Sequence, residues 1–194
     1  VNMNRLGRAL TEYDDPPIKV LFVYNCNPAA TVPDQRRIIR GLERDDLFTV
    51  VFEQVMTDTA LYADVVLPAT MFLEHDDFYT ASGHTYFQVA RKVIEPPGEA
   101  RENHYVISEL ARRLGATHPG FAMTAWELVD WTLVRSGFWD AETNWRRGGQ
   151  DCALPFECAH FLDGFPTPDR RFHFRPDWSR FGGRPREPCT SPGC

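Results

Sequence analysis

Apolar residues cluster first in short continuous runs and only later at helical spacing. Pro16-Pro17 precedes the run Ile18-Lys19-Val20-Leu21-Phe22-Val23-Tyr24, and Asn25-Cys26-Asn27-Pro28 follows it. A short β-favouring run between breakers reads as a strand buried on both faces, the kind found in parallel sheets. Pro33-Asp34 then opens a short amphipathic helix, with Ile38, Ile39 and Leu42 on one side and Arg36, Arg37 and Arg40 on another, broken near Gly41. Leu47 to Phe52 is the second buried strand, ending in the acid Glu53. Thr57 or Asp58 can cap a short helix running to Ala63, and Asp64 to Pro68 is the third strand. The order strand, helix, strand, helix, strand predicts a βαβαβ unit with right-handed crossovers.

Beyond Pro68 the pattern loosens. Thr70 to Gly83 reads as a loop with clustered charge at Glu74-His75-Asp76-Asp77, and Thr85 to Val93 as an edge strand or hairpin. Pro96-Pro97-Gly98 breaks the chain. Asn103 to Leu114 is the next helix, with Val106, Ile107, Leu110, Ala111 and Leu114 at helical spacing and Gly115 as its stop. A last amphipathic helix runs from about Thr124 to Arg135 and carries Trp126, Val129 and Leu133 on one face. From Gly148 onward Gly, Pro and Cys accumulate and periodicity fades. The fold class is therefore α/β: a parallel-sheet, Rossmann-like domain over residues 1–115, a helical extension over 116–147, and an irregular stretch over 148–194.

Composition narrows the field of functions. Apolar residues make up 43% and charged residues 25% of the 194, which suits a globular core. A net charge of −6 argues against general nucleic-acid binding, yet leaves room for one local basic pocket that takes a phosphorylated ligand. No apolar run approaches the roughly 20 residues of a membrane span. The start, Val1-Asn2-Met3-Asn4, shows no targeting signal and reads as an internal cut. The 5 cysteines form no CxxC pair, so no zinc or iron–sulfur site is expected on this segment.

In an open parallel sheet ligands bind outside the C-terminal strand ends, usually where strand order reverses. Three places qualify: Asn25 to Asn27, Phe52-Glu53, and the loop after Leu67. The Asn27 amide can donate to a phosphate or read a purine edge, but an asparagine before proline also caps turns. Glu53 stands where dinucleotide folds place a ribose-binding acid, though no GxGxxG precedes it. The Glu74-His75-Asp76-Asp77 cluster reads as solvated loop charge rather than a metal site. With no HExxH and no GxSxG, no nucleophile or hydrolytic centre can be named.

Several blocks in fixed order carry a resemblance. They are Val23-Tyr24-Asn25-Cys26-Asn27-Pro28-Ala29-Ala30, Thr57-Asp58-Thr59-Ala60, Tyr62-Ala63-Asp64-Val65-Val66-Leu67-Pro68-Ala69-Thr70, Leu73-Glu74-His75-Asp76 and Pro97-Gly98-Glu99-Ala100-Arg101. Together they resemble the molybdopterin oxidoreductases of the dimethyl-sulfoxide-reductase type over roughly Val1 to Gly115, with a weaker echo at Phe165 to Arg171. The resemblance implies the second of two α/β domains that each grip one molybdopterin guanine dinucleotide around a molybdenum or tungsten ion. By motif position it implies cofactor contacts at Asn27, at Phe52 and Glu53 for the nucleoside end, at His75, and at Asn103. Relatives carry lysine and aspartate at the last two places, so His75 brings a positive charge only when protonated and Asn103 lacks the carboxylate.

The metal ligand and any iron–sulfur cysteines would lie in other parts of a parent chain, and residues 148–194 would hold a linker and the truncated start of a final domain. The tail from Gly182 to Cys194 matches nothing in that domain and reads as a frame-shifted or truncated end, which would leave this polypeptide catalytically silent alone. Expected partners are the remaining parent domains and an electron-transfer subunit. A rival expectation is a cofactor-free structural or electron-transfer scaffold of the same superfamily. A third is a free-standing nucleotide-binding module with its own affinity for a guanine nucleotide. On the fragment reading, half a clamp leaves apolar surface open, and the isolated chain is expected to associate.

Overall fold

The computed structural model describes residues 2–174. One compact unit runs to Asp151, and a second begins at Cys152. The first unit opens with helix α1 (Leu6–Glu12), which the sequence pattern does not announce because seven residues hold too few apolar repeats. Strand β1 (Val20–Tyr24) leads through α2 (Pro28–Thr31) and α3 (Gln35–Leu42) to β2 (Phe48–Glu53), and a single 3₁₀ turn (Ala60–Tyr62) leads to β3 (Val65–Pro68). The three strands pair in parallel in the order β1-β2-β3. The helix expected from Thr57 shrinks to that one turn, which starts when Thr57 Oγ1 accepts from Ala60 N–H at 3.2 Å.

The expected burial on both faces holds on one and is only partial on the other, where Phe52 is buried but its neighbours are not. Leu10, Ile38 and Leu42 of α1 and α3 pack with Leu21, while Val23 and Val51 pack with Ala60. On the opposite face Val20, Tyr24 and Phe48 remain 62%, 45% and 49% exposed. The strand order supplies the reason: same-handed crossovers that advance in one direction across a sheet all lie on one side of it. No reversal of strand order occurs in this sheet. The crossing of α1 over α3 is close, because a Cβ at Gly41 would lie 2.5 Å from Leu10 Cβ.

A second, antiparallel sheet follows. Strand β4 (Asp77–Thr80) pairs with β5 (Tyr86–Ala90), so the segment expected as one loop to Gly83 contains a strand. Its sequence hides it, since no residue of β4 is fully buried and no alternation develops. Helix α4 (Asn103–Arg113) carries the expected apolar stripe, yet Ile107 and Leu110 stay 38% and 44% exposed. Helices α5 (Ala125–Arg135) and α6 (Ala141–Arg147) cover β5 through Phe87, Val89, Val129, Leu133 and Ala141. Thr124 and Glu127 form a reciprocal capping box that fixes where α5 begins. Strand β6 (Gln150–Asp151) returns to pair with β5. In the second unit, α7 (Phe156–Ala159) precedes a run of ring contacts, Phe161 with Phe165 at 4.6 Å and Phe165 with Phe172 at 5.4 Å. The Gly182–Cys194 tail lies outside the described residues.

Candidate functional site at the strand ends

Parallel register sets the C-terminal ends of the three strands side by side, with Tyr24 opposite Phe52 and Phe52 opposite Leu67. The chain leaves β1 through Asn25, whose φ of 51° turns it sharply toward α2. Asn27 follows, half-buried. Its Oδ1 accepts from Thr59 N–H at 3.1 Å and from Thr59 Oγ1 at 2.7 Å, and its Nδ2 donates to Asp58 Oδ2 at 3.2 Å. The buried Thr59 hydroxyl in turn accepts from Ala29 N–H at 3.0 Å. Asn27 therefore ties the loop after β1 to the loop after β2, and most of its side-chain capacity is used in doing so.

This network makes a prediction. Asn27→Ala leaves a buried backbone N–H and a hydroxyl without their acceptor and is expected to cost about 1–3 kcal/mol. Asn27→Asp keeps Oδ1 but sets a second carboxylate oxygen against Asp58, so its stability should recover as pH falls through the carboxylate range. Urea denaturation of the three proteins at neutral and acid pH measures both effects. An Asn27→Ala protein as stable as the parent would remove the tie.

Glu53 ends β2 half-buried. One carboxylate oxygen accepts from Gln54 N–H at 2.8 Å, and the other has no partner among the described residues. Phe52 is fully buried, its ring 6.5 Å from that of Phe22. As a residue of the middle strand, paired on both sides, it leaves neither ring nor backbone open to solvent. Gln54 Nε2 donates to the Thr70 carbonyl at 2.9 Å, linking the ends of β2 and β3. Beyond β3, Thr70 N–H donates to the Arg101 carbonyl and Arg101 N–H to the Pro68 carbonyl, each at 3.1 Å. These bonds bring the start of α4 to the same edge of the sheet, although about 30 residues separate it in sequence.

That connection places His75 and Asn103 together. Both line a cavity of about 200 Å³ with Glu102 and His104, and Leu128 and Val129 of α5 form an apolar side. His75 Nδ1 and Thr70 Oγ1 are 2.7 Å apart, and His75 Nε2 is 3.5 Å from Asp77 Oδ2. The Asn103 amide has no hydrogen-bond partner among the described residues. Burial pushes the Glu102 carboxyl above its ordinary value, while nearby His104 and His75 pull it back. The five sequence-derived positions thus fall in two groups: Asn27, Phe52 and Glu53 on the strand ends, and His75 and Asn103 in the cavity. The path Gln54–Thr70–His75 joins them. Sequence reading passed over Gln54, Thr70, Glu102 and His104. An acid directly before a helix start was the available signal for Glu102. Among the described residues no three His, Cys, Asp or Glu side chains converge on a metal-binding geometry, and no helix is long and apolar enough to cross a membrane.

The model of the molybdopterin oxidoreductase family matches residues 4–113, which contain every one of these positions. The chain belongs to that family. This family member is 50% identical over 116 residues to probable oxidoreductase YoaE of Bacillus subtilis, an alignment covering 60% of this chain and 17% of the relative. It is 28% identical over 183 residues to the dimethyl sulfoxide/trimethylamine N-oxide reductase of Rhodobacter capsulatus, covering 91% of this chain and 21% of that enzyme. The solved acetylene hydratase from Pelobacter acetylenicus superposes with a TM-score of 0.70 at 28% identity, over 88% of this chain and 23% of its own. The family member thus spans about a fifth of the length of these relatives. Their similarity confirms the α/β class read from the strand pattern.

Proposed function

We propose that this segment belongs to a molybdenum- or tungsten-dependent oxidoreductase and grips one molybdopterin guanine dinucleotide by its nucleoside end. One observation carries the reading: three parallel strand ends and the start of α4 meet on one edge of the sheet, where such folds take nucleotides. The donor set fits that end of the cofactor. A free Glu53 oxygen and the unpartnered Asn103 amide complement ribose hydroxyls and base N–H groups. The cavity lining carries no lysine or arginine, but Arg101, bridged to Pro68 and Thr70, and Lys92, near Glu102, stand on the same edge, so phosphate binding would fall to these cations, to backbone N–H groups or to other domains of the parent. When bound, the cofactor would supply two-electron transfer at its metal. The residues here bind and orient it, and the remaining domains of the parent would contribute the metal ligand and substrate groups.

The test is the cofactor content of the full-length protein from its source. Metal, pterin and released guanosine monophosphate should be found in fixed proportion, and Glu53→Gln should lower the retained nucleotide. A protein with pterin but no guanosine monophosphate would overturn the dinucleotide assignment. A second reading, a cofactor-free structural or electron-transfer scaffold, draws on the Asn27 network, which spends on folding the amide that a cofactor would need. A full-length protein free of metal and pterin would establish it.

A further inference from the structure

Helix α5 carries apolar residues on two sides. Val129 and Leu133 are buried and pack with Phe87 and Val89 of β5. Trp131 and Val134 lie elsewhere on the helix and stay 36% and 54% exposed. With Trp126, Glu127 and Asp130 they form one wall of an open groove of about 710 Å³, and Pro119 and Met123 belong to the other. Both walls are fixed. The Thr124–Glu127 capping box sets the start of α5. On the facing wall His118 Nδ1 accepts from Gly120 N–H at 3.1 Å, and His104 Nε2 lies 2.7 Å from the Met123 carbonyl. The His118 ring stands at 76° to the Trp131 indole, with centroids 6.3 Å apart, which holds that indole in place. The groove shares no lining residue with the cavity beside α4.

The charge of the groove is acidic, and its acceptors are only half used. Glu127 Oε2 accepts from Thr124 N–H at 2.8 Å and from the Thr124 hydroxyl at 2.9 Å, and these bonds hold its carboxyl below the ordinary value. Asp130 Oδ1 accepts from Ala141 N–H at 2.9 Å. Each carboxylate keeps a second oxygen with no partner among the described residues. Arg135 is the cation of the lining. Its exposed guanidinium lies 4.9 Å from the centre of the Trp131 ring and makes no ion pair among the described residues. Two carboxylates against one guanidinium leave the groove short of positive charge, and the indole already attracts a cation to its face.

We propose that this groove binds an alkylated ammonium ion, a small organic cation with apolar groups on its nitrogen, which displaces Arg135 from the Trp131 indole. Tryptophan faces are the strongest aromatic receivers of such cations. The apolar wall residues Pro119, Met123 and Val134 favour alkyl groups over N–H bonds, since a bare ammonium is strongly hydrated and loses that water against them. Glu127 and Asp130 supply the countercharge and repel anions. The volume is that of a small-molecule site. Arg135 is weakly held, because an exposed cation–π pair without a carboxylate partner is among the weaker contacts of its kind, so it yields to a guest that also fills the apolar walls. A trimethylammonium group occurs on free small molecules and on lipid phosphocholine headgroups. The two carboxylates disfavour the phosphate of the second and select the first.

Isothermal titration of the full chain with choline, with dimethylbutanol as its neutral carbon isostere, and with phosphocholine tests the site. Choline should bind at least about tenfold more tightly than dimethylbutanol, and more tightly than phosphocholine. Trp131→Leu, which keeps an apolar helix former on a partly exposed position, should weaken choline about tenfold. Glu127→Gln, which can still close the capping box, should weaken it about three- to tenfold. Arg135→Gln should bind choline about two- to fivefold more tightly, because the internal competitor is gone. A merely structural Arg135 would give no such gain. Equal binding of choline and dimethylbutanol would reduce the groove to apolar surface, and phosphocholine binding as tight as that of choline would assign it to a headgroup. Either result would overturn the proposal, as would the absence of saturable choline binding or an Arg135→Gln chain that binds choline no better than the parent.

Discussion

Phe52→Ala is expected to remove about 3–5 kcal/mol of folding stability, a fall in Tm of roughly 10 °C for a unit of this size. The ring is fully buried beneath the strand ends, beside Phe22, so its removal leaves a ring-sized cavity there. The family resemblance implies a cofactor contact at this position, yet its side chain belongs to the core. The effect on any ligand should therefore follow stability: at a temperature where both proteins are folded, Phe52→Ala and the parent chain should bind alike. Thermal and urea denaturation measure the first part, and nucleotide titration of the folded variant the second. A loss below about 1 kcal/mol would mean that the ring is not packed.

The second large effect is at Gly41. A Cβ there would lie 2.5 Å from Leu10 Cβ and 2.9 Å from Leu10 Cδ1. Leu10 is only 1% exposed and cannot swing outward, so α1 would have to move off α3. Alanine gains up to about 1 kcal/mol of helix propensity over glycine, but overpacking costs about 1–3 kcal/mol. The net expectation is a loss of about 1–2 kcal/mol for Gly41→Ala and more for Gly41→Val. A double-mutant cycle isolates the contact. Leu10→Ala alone should cost about 2–5 kcal/mol, and the pair should lose less than the sum by roughly 1 kcal/mol. Strict additivity would show that the two helices do not meet at this point.

Glycine at this place illustrates what sequence alone misjudges. Read along the chain, Gly41 marks a weak point near the end of a short helix. In the fold it is where two helices approach most closely. The charge cluster at Glu74-His75-Asp76-Asp77 is a related case, since it reads as solvated loop. Thr70 and Asp77 hold His75 in the cavity wall, and a cross-bridge between Pro68–Thr70 and Arg101 creates that wall. Helix α4 errs the other way. Its apolar stripe predicts burial, yet Ile107, Leu110 and Leu114 stay exposed among the described residues.

What the sequence determined by itself is what depends on local pattern. Continuous apolar runs between breakers define β1, β2 and β3, because a strand in a parallel sheet needs apolar residues on consecutive positions. Helical spacing defines α3, α4 and α5, and the ordered motif blocks identify the family. Only the tertiary structure decided which side chains share a site. Parallel register, the Asn27–Thr59 tie and the Thr70–Arg101 bridge act between residues roughly 30 positions apart, and no local periodicity encodes such pairings. Burial settled the rest: it placed the Phe52 ring in the core and left the Glu102 carboxylate in a cavity without a partner. Both outcomes depend on what packs against a residue and not on the residue's own type.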